Sequence, residues 1–298
     1  MVERLSMLFD RLLSEKAKHK GEQLILLVAI ISFLIHLAII YLNKFGFIQG
    51  FEDSALLNGP IAAIYTPFSF ILVYEVYLLI YYLPKSISTY IRKQYEIITL
   101  IVIRRIFKDL ANLELSSDWF AIKYDLQFTY DLIASILLFG LLYLFHSRSR
   151  LPATNDNSSK ISDRIERFIL FKKSIALILV PILIGLAMYT FGAWLIDKLS
   201  AEELGYSFKD INNVFFDEFF TLLITIDVIL LLVSFFHTDE FHKVIRNSGF
   251  IISTILIRIS FSVEGLINTI LIIAAVLFGL IILLIYNQYE RNRTKLNL

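Results

Sequence analysis

Eight apolar blocks dominate this chain, and each approaches the roughly 20 residues that a helix needs to cross a hydrocarbon core of about 30 Å. They fall at about 23–43, 61–83, 90–107, 128–147, 170–197, 216–236, 245–262 and 265–288. Backbone polar groups find no water in lipid, so segments of this length are expected to span as helices. Composition agrees: 57% of the 298 residues are hydrophobic, against about 45–50% in soluble domains. The expected fold is an all-α polytopic membrane protein of eight transmembrane helices.

A polar stretch, Ser147-Arg-Ser-Arg-Leu-Pro-Ala-Thr-Asn-Asp-Asn-Ser-Ser-Lys, divides the blocks four and four. The expected organisation is an amphipathic helix over 1–22, a first four-helix repeat over 23–147, a linker over 148–168, a second repeat over 169–288 and a basic tail over 289–298. Residues 1–20 lack the apolar core of a cleaved leader. Leu5, Leu8, Phe9, Leu12 and Leu13 instead share a helical face beside Arg4, Arg11 and Lys16. That suits an anionic membrane surface or the protein's own cytoplasmic side.

The charges inside the blocks occur twice. Glu75 and Asp227 are 152 positions apart, and Arg92 and Arg104 recur 154 positions later as Arg246 and Arg258. Leu34-Ile-His-Leu-Ala-Ile is echoed by Leu183-Ile-Gly-Leu-Ala-Met, and Leu132-Ile-Ala-Ser-Ile-Leu by Leu266-Ile-Asn-Thr-Ile-Leu. Matches in one order, with charges in register, point to two related halves. Eight spans put the N-terminus, the 84–93 and 237–246 loops, the segment 147–173 that contains the linker, and the C-terminus on one side, with 20 of the 28 Lys and Arg residues against 8 opposite. The positive-inside rule makes that side cytoplasmic, in a plasma or inner membrane. Four spans per half make the repeats parallel. Trp119 and Trp194 then sit at the outer interface.

An intramembrane ionisable group costs about 2.5–3.5 kcal/mol on insertion scales, so Glu75 and Asp227 are the candidate ion or proton sites. The competing reading is structural: each carboxylate pairs with an arginine of the next helix and fixes packing register. Glu96 follows Arg92 by four residues and Lys93 by three, which lets its own helix satisfy it. Arg92, Arg104, Arg246 and Arg258 are the candidates for charge pairing or gating. An acidic residue one helix before arginines spaced in multiples of three resembles voltage-sensing helices. The resemblance implies a sensor, but the intermediate Gly249, Ile252 and Ile255 are uncharged.

His237-Thr-Asp-Glu-Phe-His242 gathers His237, Asp239, Glu240 and His242, residue types that ligate metal; a solvated loop is the plainer reading. His36 and His146 have no evident partner in the sequence. Gly140 and Gly279 are positioned for close helix approach, and Pro181 for a kink. With no cysteine there is no disulfide and no thiolate chemistry. Glycine-rich phosphate loops, Gly-x-Ser-x-Gly and His-Glu-x-x-His are absent.

The expectation is therefore a channel or secondary transporter for a small inorganic cation or a proton. No enzyme activity, cofactor or nucleic-acid partner is expected. The bilayer, a second copy or a membrane partner subunit are the expected associates. The alternative is a membrane-anchored interaction or signalling component without transport; a voltage-sensor-like protein is a weaker one.

Overall fold

The computed structural model describes residues 7, 9, 11–46, 60–110, 123–149, 163–199, 208–236, 240–263 and 265–296, with several helix-end side chains left out. Met1–Ser6, Trp119, most of the linker, His237 and Asp239 lie outside the described residues, as does the side chain of Trp194.

Eight α-helices are described, and each of the eight apolar blocks falls on one. They are α1 (Glu15–Lys44), α2 (Tyr65–Tyr82), α3 (Ile87–Leu110), α4 (Lys123–Ser149), α5 (Asp163–Leu199), α6 (Phe208–Phe235), α7 (Phe241–Ser260) and α8 (Leu266–Leu296). A 3₁₀ turn, Pro60–Ile64, precedes α2. No strand occurs among the described residues.

Local chemistry sets the helix ends. Ser14 caps α1, its Oγ accepting from the Ala17 N–H at 3.1 Å. The helix therefore starts inside the expected N-terminal segment and runs on through the first apolar block. It ends at Gly46, whose φ of 77° suits a residue without a Cβ. Ser86 starts α3, its Oγ accepting from the Thr89 N–H at 3.3 Å. Pro181 sits inside α5, which continues on both sides of it.

Among the described residues, five helices are long and apolar enough to cross a membrane, with spans at Glu15–Lys44, Asp125–Ser149, Glu166–Tyr189, Glu218–Phe235 and Leu266–Arg293. The described part of α2, Thr66–Tyr82, is apolar but shorter. Side-chain distribution is that of a membrane-embedded protein. On α7, Asn247, Ser253, Thr254 and Arg258 are buried, while Ile245, Ile252, Leu256 and Ile259 are exposed. A polar inner face and an apolar outer face invert the pattern of a helix in water.

The chain divides into two compact units. The first comprises Met1–Leu78 and Ile97–Ser135; the second comprises Leu79–Glu96 and Ile136–Leu298. In the first, His36 Nδ1 lies 2.5 Å from Thr66 Oγ1. This gives the intramembrane histidine of α1 a partner on α2. In the second, α7 and α8 approach closely through small residues. A Cβ on Gly249 would lie 2.8 Å from Ile282, and one on Gly279 only 1.8 Å from the Tyr95 hydroxyl. Ser253 donates to the Ala275 carbonyl of α8 at 2.6 Å. Gly140 is different: a Cβ there meets nothing within 4 Å. Of the two Phe-Gly-Leu glycines, only the one in α8 serves close approach.

Candidate functional site

In each unit, a carboxylate meets an arginine of the following helix. Within the first unit, Arg104 Nη1 of α3 is 3.0 Å from Glu75 Oε2 of α2. Arg104 also donates to the Phe68 carbonyl at 3.3 Å. The small pocket beside this pair, about 170 Å³, is otherwise walled by apolar side chains including Phe68, Ile71, Leu100 and Phe107. A second ion pair in this unit is formed by Arg105 and Asp131 of α4, bidentate, with Nη2 donating to Oδ1 at 2.7 Å. Gln127 donates to the same Asp131 oxygen at 3.0 Å.

Within the second unit, Arg258 Nη1 of α7 is 2.8 Å from Asp227 Oδ2 of α6. Both are buried, Asp227 completely. Helix α3 supplies two further groups to this pair. Tyr90 Oη donates to Asp227 Oδ1 at 2.9 Å. Arg258 Nη2 donates to Gln94 Oε1 at 3.2 Å. Tyr90 and Gln94 are four residues apart and so share a face of α3. The next residue, Tyr95, is buried against Phe145, with its hydroxyl 2.6 Å from Ser253 Oγ.

A cleft of about 660 Å³ reaches this network. Asp227 and Tyr90 lie on its wall, with Lys85, Lys172, Lys243 and Asn247. Lys172 of α5 is 7% exposed. It donates to the Lys85 carbonyl at 2.8 Å. The two units thus treat their carboxylates differently: Glu75 abuts a small apolar pocket, whereas Asp227 abuts a larger cleft that also carries Lys85, Lys172 and Lys243.

The remaining sequence candidates have other partners. Glu96 is held by its own helix, paired with Lys93 and with Arg92 at 3.7 Å. Arg92 also lies 3.3 Å from His146 Nδ1, so that histidine too has a partner. Arg246 bonds Asn247 Oδ1 at 3.0 Å and stacks over the Tyr286 ring at 4.4 Å. Each of α3 and α7 therefore brings one of its two candidate arginines to a buried carboxylate, and keeps the other elsewhere.

Of the loop cluster, Glu240 and His242 are described, and Glu290 of α8 joins them. His242 Nε2 lies 2.7 Å from Glu290 Oε1 and 3.1 Å from Glu240 Oε2. The three donor atoms lie within 4.8 Å of one another, the residue types of a divalent-metal site. Glu240 also has protein cations. Lys243 and Arg293 bond Glu240 at 3.0 and 2.8 Å. The Lys243 hydrogen bond, reinforced by Arg293, holds the Glu240 carboxyl below its usual range.

The sequence reasoning did not find Tyr90, Gln94, Asp131, Lys172 or Glu290. Spacing offered one signal, the Tyr90/Gln94 interval of four on a helix that also carries charge. The others are brought together only by tertiary packing.

Comparison with known proteins adds no family. The chain matches no family model, no curated protein and no solved structure.

Proposed function

We propose that this protein spans the membrane eight times, as two parallel four-helix halves with both termini and the linker cytoplasmic, and moves protons by way of Asp227. Two observations support the halves. The charges recur in register, and each unit pairs a carboxylate with an arginine of the next helix. Helices α3 and α7, of 24 and 20 residues, extend about 36 and 30 Å at 1.5 Å per residue, enough to cross.

The observation that carries the transport reading is the cleft that has Asp227 on its wall. A carboxylate that is to coordinate Na⁺ or K⁺ needs charge to spare. Asp227 has its charge met by Arg258, so its field for a metal cation is largely cancelled. A proton needs no such field. It exchanges along hydrogen bonds, and Asp227 has one with Tyr90. The expected "small cation or proton" therefore narrows to the proton, and Asp227 becomes the working carboxylate. Glu75 takes the structural role, because its pocket is small and apolar. Access from the other side requires the Asp227–Arg258 pair to open, which makes the transport gated.

The test is proton flux in liposomes carrying a pH-sensitive dye, under a K⁺-diffusion potential. Asp227→Asn is expected to reduce flux at least about tenfold, as loss of an essential proton carrier does. Tyr90→Phe, which leaves the ion pair intact, is expected to reduce it several-fold. Glu75→Gln is expected to leave flux within about twofold of wild type, provided each variant elutes and melts as a folded protein. The interaction reading rests on the same buried pairs taken as packing elements. Absence of wild-type flux under every gradient and voltage would establish it over transport.

A further inference from the structure

The cleft contains an excess of positive charge that the proton reading does not use. Asp227 is committed to Arg258 at 2.8 Å, and Lys243 is 3.0 Å from Glu240. Asp227 also attracts Lys172 through space, but with its charge met by Arg258 it leaves Lys172 and Lys85 as the excess of the cleft. Among the described residues, neither has a carboxylate within 4.0 Å. For Lys85, which is exposed, that is unremarkable. For Lys172, 7% exposed, it is not. Charged side chains are almost never buried this far unless paired. Its ammonium has three donors. One serves the Lys85 carbonyl at 2.8 Å, and Nζ also lies 5.3 Å from the centre of the Phe168 ring. The remaining donor capacity belongs to a group on the cleft wall.

The rest of the wall says what kind of anion fits. Phe168, Leu230, Leu231 and Ile251 are apolar, and they share the cleft with Lys172 and Lys85. A hydrated inorganic anion gains nothing from that apolar surface. A chain-bearing anion uses both parts: burial of its methylenes contributes about 0.8 kcal/mol per CH₂, and its headgroup completes the lysine. Basic pockets between helices at the cytoplasmic side of a membrane are where lipid headgroups bind, and Lys85 lies in the loop expected on that side. We infer that the cleft binds an amphiphile with a phosphate or carboxylate headgroup, the headgroup on Lys172 and Lys85 and the chain against the apolar wall. The inference stands on Lys172 and the wall, and it does not require proton flux.

The experiment is equilibrium binding to protein purified in a neutral maltoside detergent, with dodecyl phosphate as the probe. Dodecylphosphocholine and inorganic phosphate are the two comparisons. Saturable binding of dodecyl phosphate is expected, at least about tenfold tighter than either, since a charge-assisted bond in a buried site is worth that much. Lys172→Met is expected to weaken it about tenfold, with Lys172→Arg retaining most of it. Lys85→Gln, at an exposed position, is expected to weaken it a few-fold, which keeps the test alive should Lys172→Met fail to fold. Equal binding of dodecyl phosphate and dodecylphosphocholine would overturn the headgroup assignment. Inorganic phosphate binding as tightly as dodecyl phosphate would overturn the amphiphile in favour of a small soluble anion. Unchanged affinity in both lysine variants would remove the site altogether. None of these results depends on the flux assay, so the two readings fail separately.

Discussion

Arg258→Met is expected to lower the stability of the folded protein by about 3–5 kcal/mol, the cost of leaving one member of a buried ion pair unmatched. Asp227 is completely buried, and its only other described side-chain bond is from Tyr90. Without Arg258 the carboxylate is stranded with a full negative charge, or it takes up a proton. Gln94, which accepts from Arg258, loses its donor as well. The measurement is thermal unfolding in detergent, followed by circular dichroism or by loss of the monodisperse elution peak. The double variant Arg258→Met with Asp227→Leu separates the two causes. Removing both charges is often near neutral, so the double variant is expected to recover most of the loss. If it stays as unstable as the single variant, the pair contributes through shape rather than charge. Arg258→Lys is expected to fall between, because an ammonium reaches one carboxylate oxygen but lacks the planar fork that also serves Gln94. The same truncation at Arg104 is expected to cost less. Arg104 lies at the edge of a pocket rather than sealed inside, with 11% of its side chain exposed against 3% for Arg258.

What could be read from the sequence divides along physical lines. Apolar blocks of spanning length persist over many residues, so all eight helices were visible, with boundaries displaced where polar ends continue the helix, as at Glu15 and Asp163. Glu75 and Asp227 stood out because charge inside such a block is costly. Their partners were foreseeable as arginines of the next helix, which is where Arg104 and Arg258 are. Lys172 was not foreseeable. Beside Lys173 at the very start of the fifth apolar block it reads as one more cytoplasmic charge, and only the packing of α5 shows it to be buried. Tyr90 was hidden for the opposite reason. A tyrosine in an apolar run reads as core, and its bond to Asp227 spans 137 positions. Glu290 lies 48 positions from His242, so no local motif joins them. Glu96 was legible because its partners lie within one helical turn.

The second large effect concerns Gly279. Replacing it with valine is expected to destabilise the second unit by about 1–3 kcal/mol or more, the range of an overpacked core. A Cβ at this position would lie 1.8 Å from the Tyr95 hydroxyl and 3.0 Å from Ser253 Oγ. Tyr95 cannot swing aside cheaply. It is buried, its ring packs against Phe145 at 5.1 Å, and its hydroxyl is 2.6 Å from Ser253. Moving the ring breaks that bond and leaves polar groups buried without partners, a further cost of about 1–3 kcal/mol. Gly279→Ala with Tyr95→Phe tests the cause. It removes the hydroxyl that makes the closest contact, although the ring carbon behind it, 3.0 Å away, still crowds the new methyl. The pair is therefore expected to recover part of the Gly279→Ala loss and not all of it. Gly140→Ala is the control, since its Cβ meets nothing within 4 Å; its melting temperature is expected to match wild type or rise slightly, as alanine is the better helix former by about 1 kcal/mol. If Gly279→Ala and Gly140→Ala melt alike, the close approach through Gly279 does not govern stability. Should Gly279→Ala alone fall, the small residues of α7 and α8 are what let Ser253 of α7 meet Tyr95 of α3, the helix that also carries Tyr90 to Asp227.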